Sequence, residues 1–126
     1  MEGKKKILVM DDEEMIGEIA CQMLSFLGYE ALHVLDGEAA IRLFREHLES
    51  GAAFDVVIMD LTIPGGMGGR EAVAEILAID PKARVLVSSG YSNDPSVTHY
   101  SDYGFCGHID KPFDMTSLKT AIEAVL

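Results

Sequence analysis

Short apolar runs alternate along the chain with longer segments whose apolar residues recur at helical spacing. The short runs predict five strands, at Lys6–Met10, Glu30–Leu35, Phe54–Met59, Ala83–Val87 and Phe105–Ile109. Apolar residues three and four positions apart predict the helices between and after them, at Met15–Gly28, Glu38–Glu49, Gly69–Ile79, Asp94–Tyr103 and a last segment after Asp114. The pattern therefore indicates a regular alternation of strand and helix.

Strands that alternate with helices pair in parallel, because each connecting helix returns the chain to the same edge of the sheet. The unbroken run Val56–Met59 is typical of a strand buried on both faces. We therefore expect an α/β fold, with one parallel sheet and helices on both faces. The 126 residues fit a single domain, and Asp36 and Asp114 are favourable N-caps for the helices that follow them.

The composition of the chain excludes several classes of protein. The apolar runs of the chain are too short for a membrane-spanning helix. The basic start is not followed by the apolar stretch of a secretory signal, so we expect a cytoplasmic protein. The formal net charge of −11 excludes a basic surface for direct nucleic-acid binding. The two cysteines, Cys21 and Cys106, fall in helix and strand patterns and are interpreted as small core residues.

Polar side chains follow four of the predicted strands. Asp11 and Asp12 come after the first strand, Asp60 after the third, Ser89 after the fourth and Lys111 after the fifth. Parallel folds bind ligands at the carboxyl ends of their strands. We therefore expect one pocket that combines three carboxylates, a hydroxyl and an ammonium.

A divalent cation would relieve the repulsion among three clustered carboxylates, and Mg²⁺ prefers such oxygen ligands. Lys111 would supply positive charge and Ser89 a hydrogen bond to an anion beside the metal. This combination favours a site for a phosphoryl group, with a carboxylate as the nucleophile. Asp60 stands alone near the middle of the sheet and is the expected nucleophile, while Asp11 and Asp12 form the metal pair. Each residue alone also has a simpler interpretation, as an acidic first helical turn or a solvated surface lysine.

The chain resembles the receiver domain of two-component response regulators. The matching stretches are Ile7–Glu13, Asp55–Leu61, Val85–Gly90 and Gly107–Phe113. The resemblance covers nearly the whole chain, with four motifs in the expected order. It implies a flavodoxin-like (CheY-like) fold of strand order 2-1-3-4-5.

The resemblance also implies roles for individual residues. Asp60 would accept a phosphoryl group from a phosphohistidine of a histidine kinase or phosphotransfer protein. Mg²⁺ would be held by the carboxylates of Asp11, Asp12 and Asp60 and by the backbone carbonyl of Thr62. Of the two acids after the first strand, Asp12 would be the direct ligand. Ser89 would hydrogen-bond the phosphoryl group and Lys111 would pair with its oxygens. The Lys111–Pro112 bond is expected to be cis.

One position departs from the family pattern. The family couples the hydroxyl at Ser89 to an aromatic residue three positions before the lysine, where this chain has His108. A half-buried histidine filling the same groove is one interpretation, and a charge that tunes the output is the other. The surrounding surface carries Tyr91, Tyr100 and Tyr103 and is a partner-binding face in the family.

The glycine-rich stretch Leu61–Glu71 resembles receivers fused to hybrid sensor histidine kinases, although it also fits a flexible connection. We expect the receiver part of such a kinase or a stand-alone receiver, as a monomer or weak dimer. A haloacid-dehalogenase-type phosphatase would share most of the site, but it needs an aspartate where this chain has Thr62. A flavin carrier needs a hydroxyl-rich loop where this chain has acids.

Overall fold

The structure is a computed structural model that describes residues 5–61, 63, 65–89, 99–111 and 113–126. Its strands are β1 Lys6–Met10, β2 Glu30–Val34, β3 Val56–Asp60, β4 Val85–Ser89 and β5 Gly107–Asp110. All neighbouring pairs are parallel, in the order β2-β1-β3-β4-β5. The expected α/β fold and its strand order are confirmed.

The helices of the described residues are α1 Glu14–Phe26, α2 Gly37–Glu49, α3 Gly69–Ile79 and α4 Met115–Val125. A 3-10 turn spans Tyr100–Tyr103, at the end of the helix predicted over Asp94–Tyr103. Residues 94–98 lie outside the described part of the chain, so only the end of the predicted helix is tested. That end forms a 3-10 turn instead of an α-helix.

The sheet separates two apolar cores. On one face, α2 and α3 cover a cluster that includes Phe44 and Ile76, and on the other, α1 and α4 cover a cluster that includes Leu24 and Leu118. Strands β1, β3 and β4 are buried along almost their whole length, as the apolar run in β3 predicts. The edge strands β2 and β5 are more exposed.

Two aspartates begin helices as predicted. The Asp36 side chain accepts a hydrogen bond from the Ala39 backbone N–H at 2.9 Å, and Asp114 accepts one from Ser117 at 2.8 Å. Each bond satisfies a backbone donor that the first helical turn leaves unpaired. These caps fix where α2 and α4 start, directly after the loops at the carboxyl edge of the sheet.

One prediction of burial is wrong, and one apolar helix face is only partly covered. The apolar stripe of α1 is not wholly inward, because Met15 is 74% exposed and Ile19 is 42% exposed. Cys106 is exposed and precedes edge strand β5, which has a neighbouring strand on one side only. Cys21 is half-buried and packs against the core under α1.

Candidate functional site

Three carboxylates meet at the carboxyl edge of the sheet. Asp11 and Asp12 directly follow β1, and Asp60 is the last residue of the adjacent strand β3. The register pairs Met10 with Met59, which sets Asp11 beside Asp60. One carboxylate oxygen from each of the three residues lies within 4.8 Å of the others. The predicted acidic cluster is therefore present in the structure.

Asp11 is fully buried, with 0% of its surface exposed. Its Oδ1 accepts a hydrogen bond from the Glu13 backbone N–H at 3.0 Å. Its Oδ2 lies 2.7 Å from the Lys111 ammonium. A buried carboxylate is costly unless it is paired and hydrogen-bonded, and Asp11 has both kinds of contact.

Lys111 reaches the acidic cluster from beyond β5, across the end of β4. Its Nζ lies 3.2 Å from Asp60 Oδ2 as well as close to Asp11, and its backbone N–H donates to the Ser89 carbonyl at 3.2 Å. Burial lowers the pKa of this ammonium, but the contacts with Asp11 and Asp60 outweigh burial and raise the pKa above its usual value. Lys111 therefore remains a cation at neutral pH.

The surroundings of Asp60 disfavour the ionised form of its carboxyl group. Its pKa is raised from 3.8 to about 6: burial is the largest cause, the charges of Asp11 and Asp12 also raise the pKa, and Lys111 opposes the rise. The carboxyl group therefore ionises only partly until the pH rises above about 6. A bound divalent cation would favour the ionised form, because it supplies the positive charge that the cluster lacks.

Ser89 ends β4 and is 6% exposed. The register pairs its neighbour Ser88 with Asp60, so Ser89 lies one residue beyond that pairing, at the same edge of the sheet. Thr62 and Pro112 lie outside the described residues, and the predictions for the Thr62 carbonyl and the Lys111–Pro112 bond rest on sequence alone.

His108 is exposed on β5, so the interpretation of a half-buried histidine is wrong. Its ring lies 5.6 Å from the ring of Tyr100, measured between centroids. The position is thus at the surface, beside a tyrosine.

Glycine is required where α3 begins beside the site. A Cβ atom on Gly69 would lie 2.7 Å from the Asp60 backbone oxygen and 3.0 Å from the Met59 Cβ. At least one glycine of the stretch predicted as a flexible connection is therefore needed for close packing against the strand that carries Asp60.

One further residue contacts the backbone of the cluster without belonging to any recognised motif, and a glycine makes room for it. The His33 side chain of β2 hydrogen-bonds the Asp11 backbone oxygen, and Gly17 of α1 leaves the space that the ring occupies. A glycine inside a helical pattern is the one sequence signal of such a close approach.

Comparisons with known proteins identify the family of the chain. Residues 7–123 match the response regulator receiver domain family, and the chain belongs to that family. It is therefore a signalling domain of the two-component type. The phosphatase and flavin-carrier classes have no support from this match.

Individual relatives cover nearly the whole chain. The chemotaxis protein CheY of Thermotoga maritima is 30% identical over 122 residues, which are 96% of this chain and 97% of that protein. A receiver domain protein of Clostridium thermocellum has a TM-score of 0.84 at 27% identity, with 96% of this chain and 93% of that one covered.

A further solved structure shares the fold. The receiver domain of a sensor histidine kinase from Pseudomonas aeruginosa has a TM-score of 0.82 at 22% identity, covering 98% of this chain and 97% of that one. That structure holds a magnesium ion in its active site cleft.

Within the described part of this chain, no helix is long and apolar enough to cross a membrane.

Proposed function

We propose that this chain is a phosphoacceptor of a two-component phosphorelay, which receives a phosphoryl group on Asp60 from a phosphohistidine of a histidine kinase or phosphotransfer protein. One observation carries the proposal: the Lys111 ammonium lies between the carboxylates of Asp11 and Asp60, in the acidic cluster at the end of the central strands. The arrangement supplies a nucleophile, a cation for phosphoryl oxygens and a metal site within one cleft.

The acidic cluster fits Mg²⁺. Three carboxylates within 4.8 Å of one another offer the oxygen ligands that this ion prefers. Burial raises the pKa of Asp60, and the charges of Asp11 and Asp12 raise it further although Lys111 lowers it, so a divalent cation would favour the ionised carboxylate. Asp11, Asp12, Asp60 and the carbonyl of Thr62 would hold the ion, which when bound offsets the charge of the phosphoryl oxygens.

The transfer needs no general base in this chain. An ionised oxygen of Asp60 attacks phosphorus, an O–P bond forms, and the P–N bond to the donor imidazole breaks. The electron pair of that bond stays on the imidazole nitrogen, which takes a proton from solvent. Lys111 pairs with the phosphoryl oxygens, and the Ser89 hydroxyl donates a hydrogen bond to one of them, which is how the chain would sense the modification.

An apolar patch beside the cleft suits the donor protein. A groove of about 160 Å³ is lined by Ile16, Ile19, Lys111 and Phe113, and Met15 and Ile19 stay exposed on the same helix. Exposed apolar groups that border a reactive cleft are typical of a protein-binding surface. We place the histidine-bearing partner on this face of α1.

We further propose that residues 1–126 form a single receiver domain that acts in the cytoplasm, as the receiver part of a hybrid sensor kinase or as a stand-alone regulator. The resemblance of Leu61–Glu71 to hybrid-kinase receivers favours the first. Whether a kinase core is encoded in the same gene decides between them.

The test is phosphorylation by a small donor. With Mg²⁺ and acetyl phosphate, the intact mass of the chain should rise by one phosphoryl group, and Asp60→Asn should abolish the rise. Asp102→Asn, at an exposed position, is the matched control and should behave as the wild type. An unchanged wild-type mass would contradict the proposal, and rapid turnover of phosphomonoesters would point to a phosphatase.

A further inference from the structure

Strand β2 holds both backbone polar groups of Asp11. The Asp11 N–H donates to the Val34 carbonyl at 3.0 Å, and the Asp11 carbonyl oxygen lies 2.8 Å from His33 Nε2. A carbonyl oxygen only accepts hydrogen bonds, so Nε2 of His33 carries the proton in this contact. A side chain of the edge strand thus reaches the loop that contains the first two acids.

Helix α1 is shaped to admit this side chain. Gly17 is buried in the helix, and a Cβ atom built on it would overlap the His33 imidazole ring. Alanine would stabilise an isolated helix more than glycine does at such a position. The glycine therefore lowers helix stability locally and makes room for the ring, so the two residues act as a matched pair.

We propose that His33 is a positioning residue for the metal-binding acids and that Gly17 is the residue that allows it. Because the peptide unit is planar, a bond to the Asp11 carbonyl fixes the Asp11–Asp12 peptide plane and with it the Cα of Asp12. Asp12 is exposed, so its carboxylate depends on its backbone for orientation. The role rests on the proposed function, since it assumes that the acids bind Mg²⁺.

The alternative is that His33 and Gly17 only pack against each other and do not position the acids. If His33 only fills space between the sheet and α1, a ring of similar shape without an N–H should serve equally well. If it positions the acids, the N–H matters and the ring does not. His33→Phe keeps a ring and removes the donor, whereas His33→Gln removes the ring and keeps a donor at the same number of bonds from Cα.

The experiment is a calorimetric Mg²⁺ titration of the full chain, with thermal melts in EDTA to verify folding. His33→Phe should weaken Mg²⁺ binding about tenfold, as loss of an outer partner of a metal site does, and His33→Gln should stay within about threefold of wild type. Wild-type affinity in His33→Phe would overturn the positioning role. Weak binding by His33→Gln and His33→Phe alike would also overturn it, because the ring would then be what matters.

Gly17→Ala approaches the same contact from the helix. It should weaken Mg²⁺ binding about as much as His33→Phe, because the added methyl group displaces the ring. In a His33→Ala background the same change should leave affinity unchanged and raise the melting temperature, since the clash is gone and alanine favours the helix. Destabilisation in both backgrounds would contradict the pairing. A wild-type chain that gives no Mg²⁺ signal would instead contradict the metal site of the proposed function.

Discussion

The ammonium of Lys111 lies closer to the buried Asp11 carboxylate, at 2.7 Å, than to the Asp60 carboxylate, at 3.2 Å. Lys111 is thus first of all the counter-ion of a residue that has no access to solvent. The same cation borders the expected nucleophile. A structural and a functional role therefore meet in one side chain, and substitutions can separate them.

Lys111→Met should destabilise the metal-free protein by about 2–4 kcal/mol, because removal of one partner leaves a buried carboxylate uncompensated. Added Mg²⁺ should stabilise this variant more than the wild type, since the cation replaces the missing charge. Urea unfolding in EDTA and in Mg²⁺ measures both effects. Lys119→Met, at an exposed position of α4, is the control and should change neither. A smaller Mg²⁺ effect in Lys111→Met than in the wild type would contradict this role.

The contribution of Asp60 to the stability of the metal-free protein should fall as the pH rises from about 4 to 6. The pKa of Asp60 in the fold, about 6, lies above its usual 3.8, so the folded state holds a proton that the unfolded state has lost. Asp60→Asn removes this titration. Its melting temperature in EDTA should equal that of the wild type near pH 4 and exceed it at pH 7. A difference that is constant with pH would contradict the raised pKa. Asp102→Asn keeps Asp60, so its melting temperature should follow that of the wild type across this pH range.

Gly69→Ala should destabilise the protein by about 1–3 kcal/mol, because the added methyl group forces the backbone of a packed strand to shift. Phosphorylation by acetyl phosphate should also slow, since Asp60 belongs to the displaced strand. Gly66→Ala is the matched control in the loop before α3, where the nearest atom would lie 3.4 Å from the new Cβ. It should stay within about 0.5 kcal/mol of wild type. Equal effects of the two variants in chemical unfolding would refute the close-packing explanation.

Ile19→Glu should slow phosphoryl transfer from a histidine phosphotransfer protein by about tenfold, as loss of an apolar anchor at an interface does. The rate with acetyl phosphate should not change, because the small donor needs no docking surface. Phe26→Glu makes the same substitution at another exposed position of α1, about 10 Å further along the helix. It should leave both rates unchanged, and equal slowing with both donors would exclude a docking role for Ile19.

The acidic cluster and its lysine were predictable because the acids and Lys111 lie at the end of a strand or directly after it, and parallel strands bring such positions to one edge. The caps at Asp36 and Asp114 were predictable for a similar reason, since capping is local. The exposure of Met15 was not, because an apolar helix position gives no sign of whether the sheet or a partner protein covers it. The contact of His33 depends on how α1 lies on the sheet, which no local pattern encodes.

The position of Lys111 has a consequence for how long a phosphoryl group would persist. Asp60 belongs to the central strand, whose amides should exchange with solvent only on global unfolding, whereas Lys111 follows an edge strand, where opening needs less free energy. Brief detachment of β5 would withdraw the cation and admit water to an acyl phosphate while the rest of the domain stays folded. The lifetime of the signal would then follow the local opening equilibrium of a four-residue strand, and a partner that seals this edge would lengthen it.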